Sequence, residues 1–198
     1  ALLPLWPAPN LPPLTPGAAG RYLVSAPNIN NTRQEAIRLD YDWNSNWRLT
    51  GRYTHDLSET RELGGLFFGT PVPNVATTDT DVPGVIASLS IKTVIGNRRL
   101  NDFQYQFSGN DIGTVNPDGT RNTRSELGLQ MSEVFPANEG GLIPVVNVTG
   151  VSIIGANQRY RSQYNNHTLA NNFTWQRGHH GYKFGGLTSF EQKNENGP

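Results

Sequence analysis

Residues 171–192, NNFTWQRGHHGYKFGGLTSFEQ, read as two strands that alternate apolar and polar side chains around a short turn. The aromatic side chains all fall on one side of these strands: Phe173, Trp175, Tyr182, Phe184 and Phe190. The opposite side is polar: Asn172, Thr174, Gln176, Lys183, Ser189 and Glu191. A sheet in water buries its apolar side on a core, whereas a sheet in a membrane turns that side to lipid. The remainder of the chain decides between these two environments.

The composition favours turns and strands over long helices. The 198 residues include 21 glycines and 14 prolines, only 35% are hydrophobic, and the mean hydropathy is -0.51. Sixteen basic and sixteen acidic residues give a net charge of zero, without a block of like charge. This excludes the basic footprint expected of a nucleic-acid binder. The absence of cysteine from the sequence excludes a disulfide framework and thiolate metal sites.

The same hairpin design recurs twice upstream. In residues 35–56 the apolar side chains again share one face: Ile37, Leu39, Tyr41 and Trp43, then Trp47, Leu49 and Tyr53 beyond a tight turn at Asn44, Ser45 and Asn46. Residues 85–108 repeat the pattern around a turn at Gly96-Asn97. The hairpin described first spans residues 163–192, with its turn at Gly178–Gly181. The strands of the first hairpin approach the 9 to 11 residues that cross a bilayer at a tilt.

The connections between hairpins differ strongly from the turns within them. Residues 57–84 and 109–162 form long loops rich in Gly, Pro, Asn and Thr, well beyond the loop lengths usual in compact soluble domains. Short turns at one end and long loops at the other are typical of an outer-membrane barrel. The sequence therefore predicts an all-β fold of about six antiparallel strands, with the barrel segment at 35–198.

Residues 1–34 are predicted to be a Pro/Asn-rich loop or connector. Its first 20 residues carry six prolines, which have no backbone N–H group and therefore disfavour continuous helix or strand pairing. Its apolar residues, among them Leu5 and Trp6, predict that it packs against another part of the protein.

Two sets of side chains are predicted to have a role in the wall. The first is an interfacial aromatic girdle, or alternatively a contact between subunits: Trp43, Trp47, Trp175, Tyr182 and Phe184. Cross-strand aromatic packing in a soluble sheet would give similar pairs. The second set is a charged ladder on a wet interior wall: Arg38, Asp40, Arg48 and Arg52. For this ladder, cross-strand pairing that fixes the strand register is favoured over a substrate path.

No pattern of catalytic or metal-binding residues is found. The motifs HExxH, GxSxG and the phosphate loop are absent, and His179-His180 makes a poor chelate because adjacent strand residues face opposite ways. The spacing of Asp79, Asp81, Asp111 and Asp118 does not match an EF-hand loop. We therefore expect no enzyme activity, no cofactor and no metal.

Several stretches resemble TonB-dependent outer-membrane receptors of the Oar-like group. The hairpin AIRLDYDWNSNWRLTGRYTHD, preceded by APNINNTRQE, is similar to a recurrent hairpin of that group. LPLWPAPNLPPLTPG resembles the Pro-rich segment before it. TDVPGVIASLSIKTVIGNRRLNDFQYQFSG and NFTWQRGHHGYKFGG resemble the two hairpins that follow, in the same order.

The resemblance implies import of large solutes across the outer membrane, driven through TonB. The family has a barrel of 22 strands together with a plug and a TonB box, neither of which is recognisable here. We therefore expect a middle piece of the barrel wall, located in the outer membrane, with lipid and the remaining barrel strands as partners. The alternative is a structural protein whose copies pair edge to edge into an extracellular filament or tube at the cell surface.

Overall fold

The computed structural model describes residues 2–25, 27–62, 72, 75, 77–117, 123–132, 141–155 and 160–196. Six β-strands form its frame: β1 Ile29–Asn44, β2 Trp47–Glu62, β3 Thr78–Ile95, β4 Arg99–Val115, β5 Arg161–Arg177 and β6 His180–Asn196. A short 3-10 helix, Leu3–Leu5, precedes them. Within the described residues, no helix has the length and apolarity needed to span a membrane. Asp118, considered above as a calcium ligand, lies outside the described residues, as do parts of both long loops.

The six strands form one open antiparallel sheet in chain order, β1-β2-β3-β4-β5-β6. This confirms the predicted all-β class and the three hairpins. Among the described residues, β1 and β6 are the two edges of the sheet, and each has one side on which no other described strand pairs with its backbone N–H and C=O groups. Other strands have to satisfy these groups before the sheet is stable in lipid.

Short turns fix the register of each hairpin. In the first, Asn44 is paired with Trp47, and the Asn44 side chain accepts a hydrogen bond from the Asn46 amide at 2.8 Å. In the third, Arg177 is paired with His180 across the two residues Gly178 and His179. Gly178 has a φ of 60°, which glycine adopts without a steric cost and which suits a two-residue hairpin turn. The turn is thus narrower than the four residues predicted.

Each strand runs past the bounds predicted for it. The strands are 16 to 18 residues long. β1 begins at Ile29, inside the predicted connector, and β2 and β3 extend to Glu62 and back to Thr78, inside the predicted loop 57–84. The extensions carry polar residues on both faces with few apolar ones between them, so hydrophobic periodicity gives little signal for them. Backbone pairing with their neighbours defines these parts of the strands.

The small hydrophobic core lies outside the sheet. It joins the N-terminal segment to the long connections: Leu5, Val72, Val75, Ile143 and Ile154, with Leu2, Trp6, Leu127 and Leu129 packed against it. The Trp6 indole also donates a hydrogen bond to the Ser152 carbonyl at 2.8 Å. The prediction that the N-terminal segment packs on another part of the protein is confirmed. We call this assembly of connecting segments the cap.

Candidate functional site: the two faces of the wall

The register sorts the strand residues into two faces. Residues paired directly across neighbouring strands lie on the same face of a sheet. One row runs Leu39, Gly51, Leu89, Tyr105, Leu169 and Thr188, and we call its side the apolar face. The next row runs Asp40, Thr50, Ser90, Gln104, Ala170 and Leu187, and we call its side the polar face. The turn end of the sheet carries the three hairpin turns, and the loop end carries the long connections.

The apolar face is open over most of its extent. Leu39 is 67% exposed, Tyr41 62% and Phe184 59%, although these are large hydrophobic side chains. No second sheet or helix of the described chain covers them. An apolar surface of this kind marks contact with a membrane or with another protein.

Polar groups in the middle of the apolar face are paired with one another. The Tyr105 hydroxyl lies 2.8 Å from Nδ1 of His167, and the two rings are stacked. The Asn171 amide donates to Oδ1 of Asn101 at 3.1 Å. Each pair joins β4 to β5, so these groups partly satisfy one another without water. This is the condition for tolerating them at a lipid-facing surface.

Large aromatic side chains gather at the turn end of this face. Trp175 is paired with Tyr182, with ring centroids 5.8 Å apart, and Phe184 is paired with Phe173 in the next row. Trp47 is 41% exposed beside the first turn. Trp43, 68% exposed, sits where the β1 register shifts, between the pairs of Asp42 and Asn44. The predicted girdle residues are therefore brought to one end of the sheet.

The polar face carries the predicted charged ladder, but its pairing differs from the expectation. Arg38 donates twice to Asp40, at 2.7 and 2.9 Å, within the same strand. Arg48 donates twice to Asp42, at 2.6 and 3.1 Å, across the first hairpin. Arg52 is paired in register with Arg38 and makes no ion pair among the described residues. Of the two ion pairs, only Arg48 with Asp42 links neighbouring strands.

The ladder continues into the second hairpin, which sequence reasoning missed. Lys92 is the register partner of Arg48, and its ammonium lies 3.9 Å from the Asp102 carboxylate. Asp102 also accepts hydrogen bonds from Ser90 and Gln104, both at 3.3 Å. Lys92 and Asp102 flank the second turn as Asp42 and Arg48 flank the first, which is the sequence signal that could have identified them.

Between the charged ladder and the loop end, the polar face has a cleft at Gly84, which has no side chain. Gly84 lies between Asp56 on β2 and Asn110 on β4. A Cβ at Gly84 would stand 2.6 Å from the nearer Asp56 oxygen, so the carboxylate occupies the space that a side chain would fill. The cleft has a volume of about 430 Å³ and is also lined by Ser108 and Tyr164. Its groups can hydrogen-bond polar solutes.

At the loop end, the polar face is covered. Four of its residues are buried, at most 6% exposed: Thr78, Thr80, Thr114 and Ser162. The Thr114 hydroxyl accepts a hydrogen bond from the Tyr160 amide at 2.9 Å, and the Asn116 side chain donates to the Thr77 carbonyl at 3.1 Å.

Ion pairs hold the strand extensions on the opposite side of the same end. Arg61 donates to both oxygens of Asp79 at 2.6 Å, and Arg161 to those of Asp111 at 3.0 and 2.6 Å. Hydrogen bonding from Arg61 lowers the pKa of Asp79 below its usual 3.8. Hydrogen bonding from Arg161, and then from Gln163, does the same for Asp111. These charges lie beyond the apolar rows, where water is available.

The described residues offer no metal centre. They contain no group of three or more His, Asp or Glu side chains placed to hold a metal ion. His55 lies 3.5 Å from Glu35, His167 contacts Tyr105, and His179 and His180 belong to the third turn.

Comparison with known proteins adds one finding to this geometry. The sequence profile of a family described as an outer membrane beta barrel domain matches residues 1–198. No curated protein and no solved structure match the chain. All six strands and both long connections fall within the family match.

Proposed function

The chain belongs to the outer membrane beta barrel domain family, and from that premise we propose that it forms part of the wall of a TonB-dependent transporter of the Oar-like group. In this proposal the apolar face contacts lipid, and the polar face lines the passage for a large solute. The lipid and the remaining strands of the barrel are its partners, and the wall itself does no chemistry.

The observation that carries the proposal is the contrast between the two faces of the sheet. Large hydrophobic side chains such as Leu39 and Phe184 are open on one face, while the other carries a ladder of ion pairs and the cleft beside Gly84. Outer-membrane barrels have this alternation, with lipid outside and water inside. A sheet exposed to water on both faces has no reason to display the first.

The length of the strands supports an extracellular extension. β3 has 18 residues and is about 60 Å long, whereas 9 to 11 residues are enough to cross a bilayer. The excess lies at the loop end, where Arg61 and Asp79 pair. Thr78 and Ser162 are buried on the polar face at this end, which would narrow the external mouth of the passage. A narrowed mouth suits a transporter of selected solutes better than an open pore.

Membrane integration and TonB dependence are tested separately. The polypeptide that contains this chain should fractionate with outer membranes, resist extraction by alkaline carbonate, and crosslink to TonB in cells. Extraction by carbonate would contradict the membrane wall. Integration without a TonB crosslink would contradict the transporter and leave a passive barrel.

A second candidate is a self-assembling structural protein, and the two unpaired edges of β1 and β6 favour it. Copies could pair through these edges and bury their apolar faces against each other. Light scattering and negative-stain images in detergent-free buffer distinguish the two candidates. Regular filaments or rings support the structural protein, whereas irregular aggregates that disperse only in detergent support the membrane wall.

A further inference from the structure

We propose that the turn end of the apolar face binds the phosphate of anionic phospholipids through Arg99 and Arg177, which flank Trp175. This inference rests on the lipid contact of the apolar face and does not depend on transport. It assigns a preferred lipid class to one point on the wall.

The geometry places two guanidinium groups around one indole ring. Arg99, Trp175 and Tyr182 form a single row across β4, β5 and β6. The guanidinium carbons of Arg99 and Arg177 lie 5.9 and 5.6 Å from the centroid of the Trp175 ring. Stacking on a ring face leaves the N–H groups at the guanidinium edge free to donate.

The two arginines have no carboxylate partner among the described residues, which distinguishes them from Arg48, Arg61 and Arg161 but not from Arg52 on the polar face. Within the described chain, Arg48, Arg61 and Arg161 each pair with an aspartate, whereas Arg99 and Arg177 make no ion pair. No acidic residue occurs in residues 93–101 or 161–190. Arg98 in the second turn adds a further cation to this end. The patch is therefore complementary to an anion.

The position of the patch identifies the anion. Trp and Tyr rings at the end of an apolar band lie at the depth of the lipid headgroups. The phosphodiester of a phospholipid lies at the same depth, and a guanidinium pairs with its oxygens through two parallel hydrogen bonds. A lipid with net negative charge is preferred over a zwitterionic lipid, since the latter carries its own cation beside the phosphate.

The test compares two double variants of the full polypeptide that contains this chain, in nanodiscs of phosphatidylcholine that contain an increasing fraction of phosphatidylglycerol. Arg99→Gln with Arg177→Gln removes the two guanidiniums from the apolar face. Arg52→Gln with Lys183→Gln removes the same charge from the polar face. Native mass spectrometry counts the phosphatidylglycerol retained by each protein.

We expect the first double variant to bind phosphatidylglycerol about 25-fold more weakly than the wild type, at about fivefold for each cation removed. The control should bind as the wild type does, and about 0.5 M salt should remove most of the preference. Equal binding by the wild type and the first variant, or an equal loss in the control, would overturn the proposal.

Two further measurements test the proposal if the glutamine variants do not fold. Arg99→Lys with Arg177→Lys keeps the charge and should retain most of the preference, and the wild type alone can be titrated with salt. A preference that does not change with salt would overturn the headgroup site. A wild-type protein that does not enter pure phosphatidylcholine nanodiscs would overturn the lipid contact itself, and with it the membrane wall.

Discussion

Two neighbouring residues of β3 give a direct test of which face meets lipid. Leu89 lies on the apolar face, paired with Gly51 and Tyr105, and Ser90 lies on the polar face, paired with Thr50 and Gln104. Leu89→Arg and Ser90→Arg place the same side chain one residue apart in the same strand. Any difference between them therefore reports the environments of the two faces.

The expected magnitudes follow from depth in the membrane. Leu89 is paired with Gly51, the midpoint of the nine residues from Trp47 to His55 that would cross the bilayer in β2. An arginine on the lipid face at the midplane costs about 2 to 4 kcal/mol in free energy of unfolding. This is about 30-fold to 1000-fold in the folding equilibrium. An arginine at Ser90 faces the Asp102 carboxylate, and we expect it to cost less than about 1 kcal/mol.

The assay is urea titration of the full polypeptide that contains this chain, folded in phosphatidylcholine vesicles, with tryptophan fluorescence as the signal. Leu89→Arg should shift the midpoint strongly to lower urea, while Ser90→Arg should leave it nearly unchanged. Equal shifts would refute the assignment of faces. A larger shift for Ser90→Arg would mean that the polar face is the one that contacts lipid.

Three further predictions concern the polar face and the loop end. Gly84→Ala should lower the free energy of unfolding by about 1 kcal/mol or less, because its Cβ would stand 2.6 Å from an Asp56 carboxylate oxygen, which must rotate away. Gly51→Ala, with open space at its Cβ, should raise the free energy of unfolding by about 0.5 kcal/mol, and equal values in denaturant titration would contradict the close approach of Asp56 to Gly84. Leu5→Ala removes a buried side chain from the cap and should speed its proteolysis about tenfold or more. Leu3→Ala, at a residue that is 82% exposed, should leave the rate unchanged. A similar rate for both variants would disprove the packing of the N-terminal segment. Asp79→Asn should speed amide exchange in the strand extensions about twofold at pH 7. Hydrogen bonding from Arg61 holds the pKa of this carboxyl below 3.8, so the contribution of the ion pair is complete above the unfolded pKa and is lost as the pH falls through the folded pKa. Variant and wild type should therefore converge once the pH lies below the folded pKa, and a difference that persists there would contradict the ion pair.

The hairpins were predictable because their signal is local. Alternation in DYDWNSNWRLT shows both the strands and the turn, since a strand changes face at every residue and Asn-rich turns have their own hydrogen-bonding preference. The same alternation placed Trp175 and Tyr182 on one face before any pairing was known. The family match confirms the outer-membrane barrel that these patterns indicated.

Other features depended on long-range pairing and could not be read from the sequence. The extensions that contain Arg61 and Asp79 carry polar residues on both faces, so no periodicity identifies them as strand. The contact of Trp6 with Ser152 joins residues 146 positions apart. The pairing of Arg38 with Asp40, instead of with a neighbouring strand, depends on side-chain reach within the register.

By itself, the sequence determined that this chain forms hairpins with one apolar and one polar face, because side-chain alternation is a property of each strand alone. Only the tertiary structure decided how far the strands extend, which residues form the cap, and which cations remain without a carboxylate. These features arise where segments distant in sequence meet, and the register between strands sets which side chains become neighbours. Arg99 and Arg177 are ordinary residues in the sequence, and they form a site only because β4 and β5 bring their guanidinium carbons to 5.9 and 5.6 Å from the centroid of one indole ring.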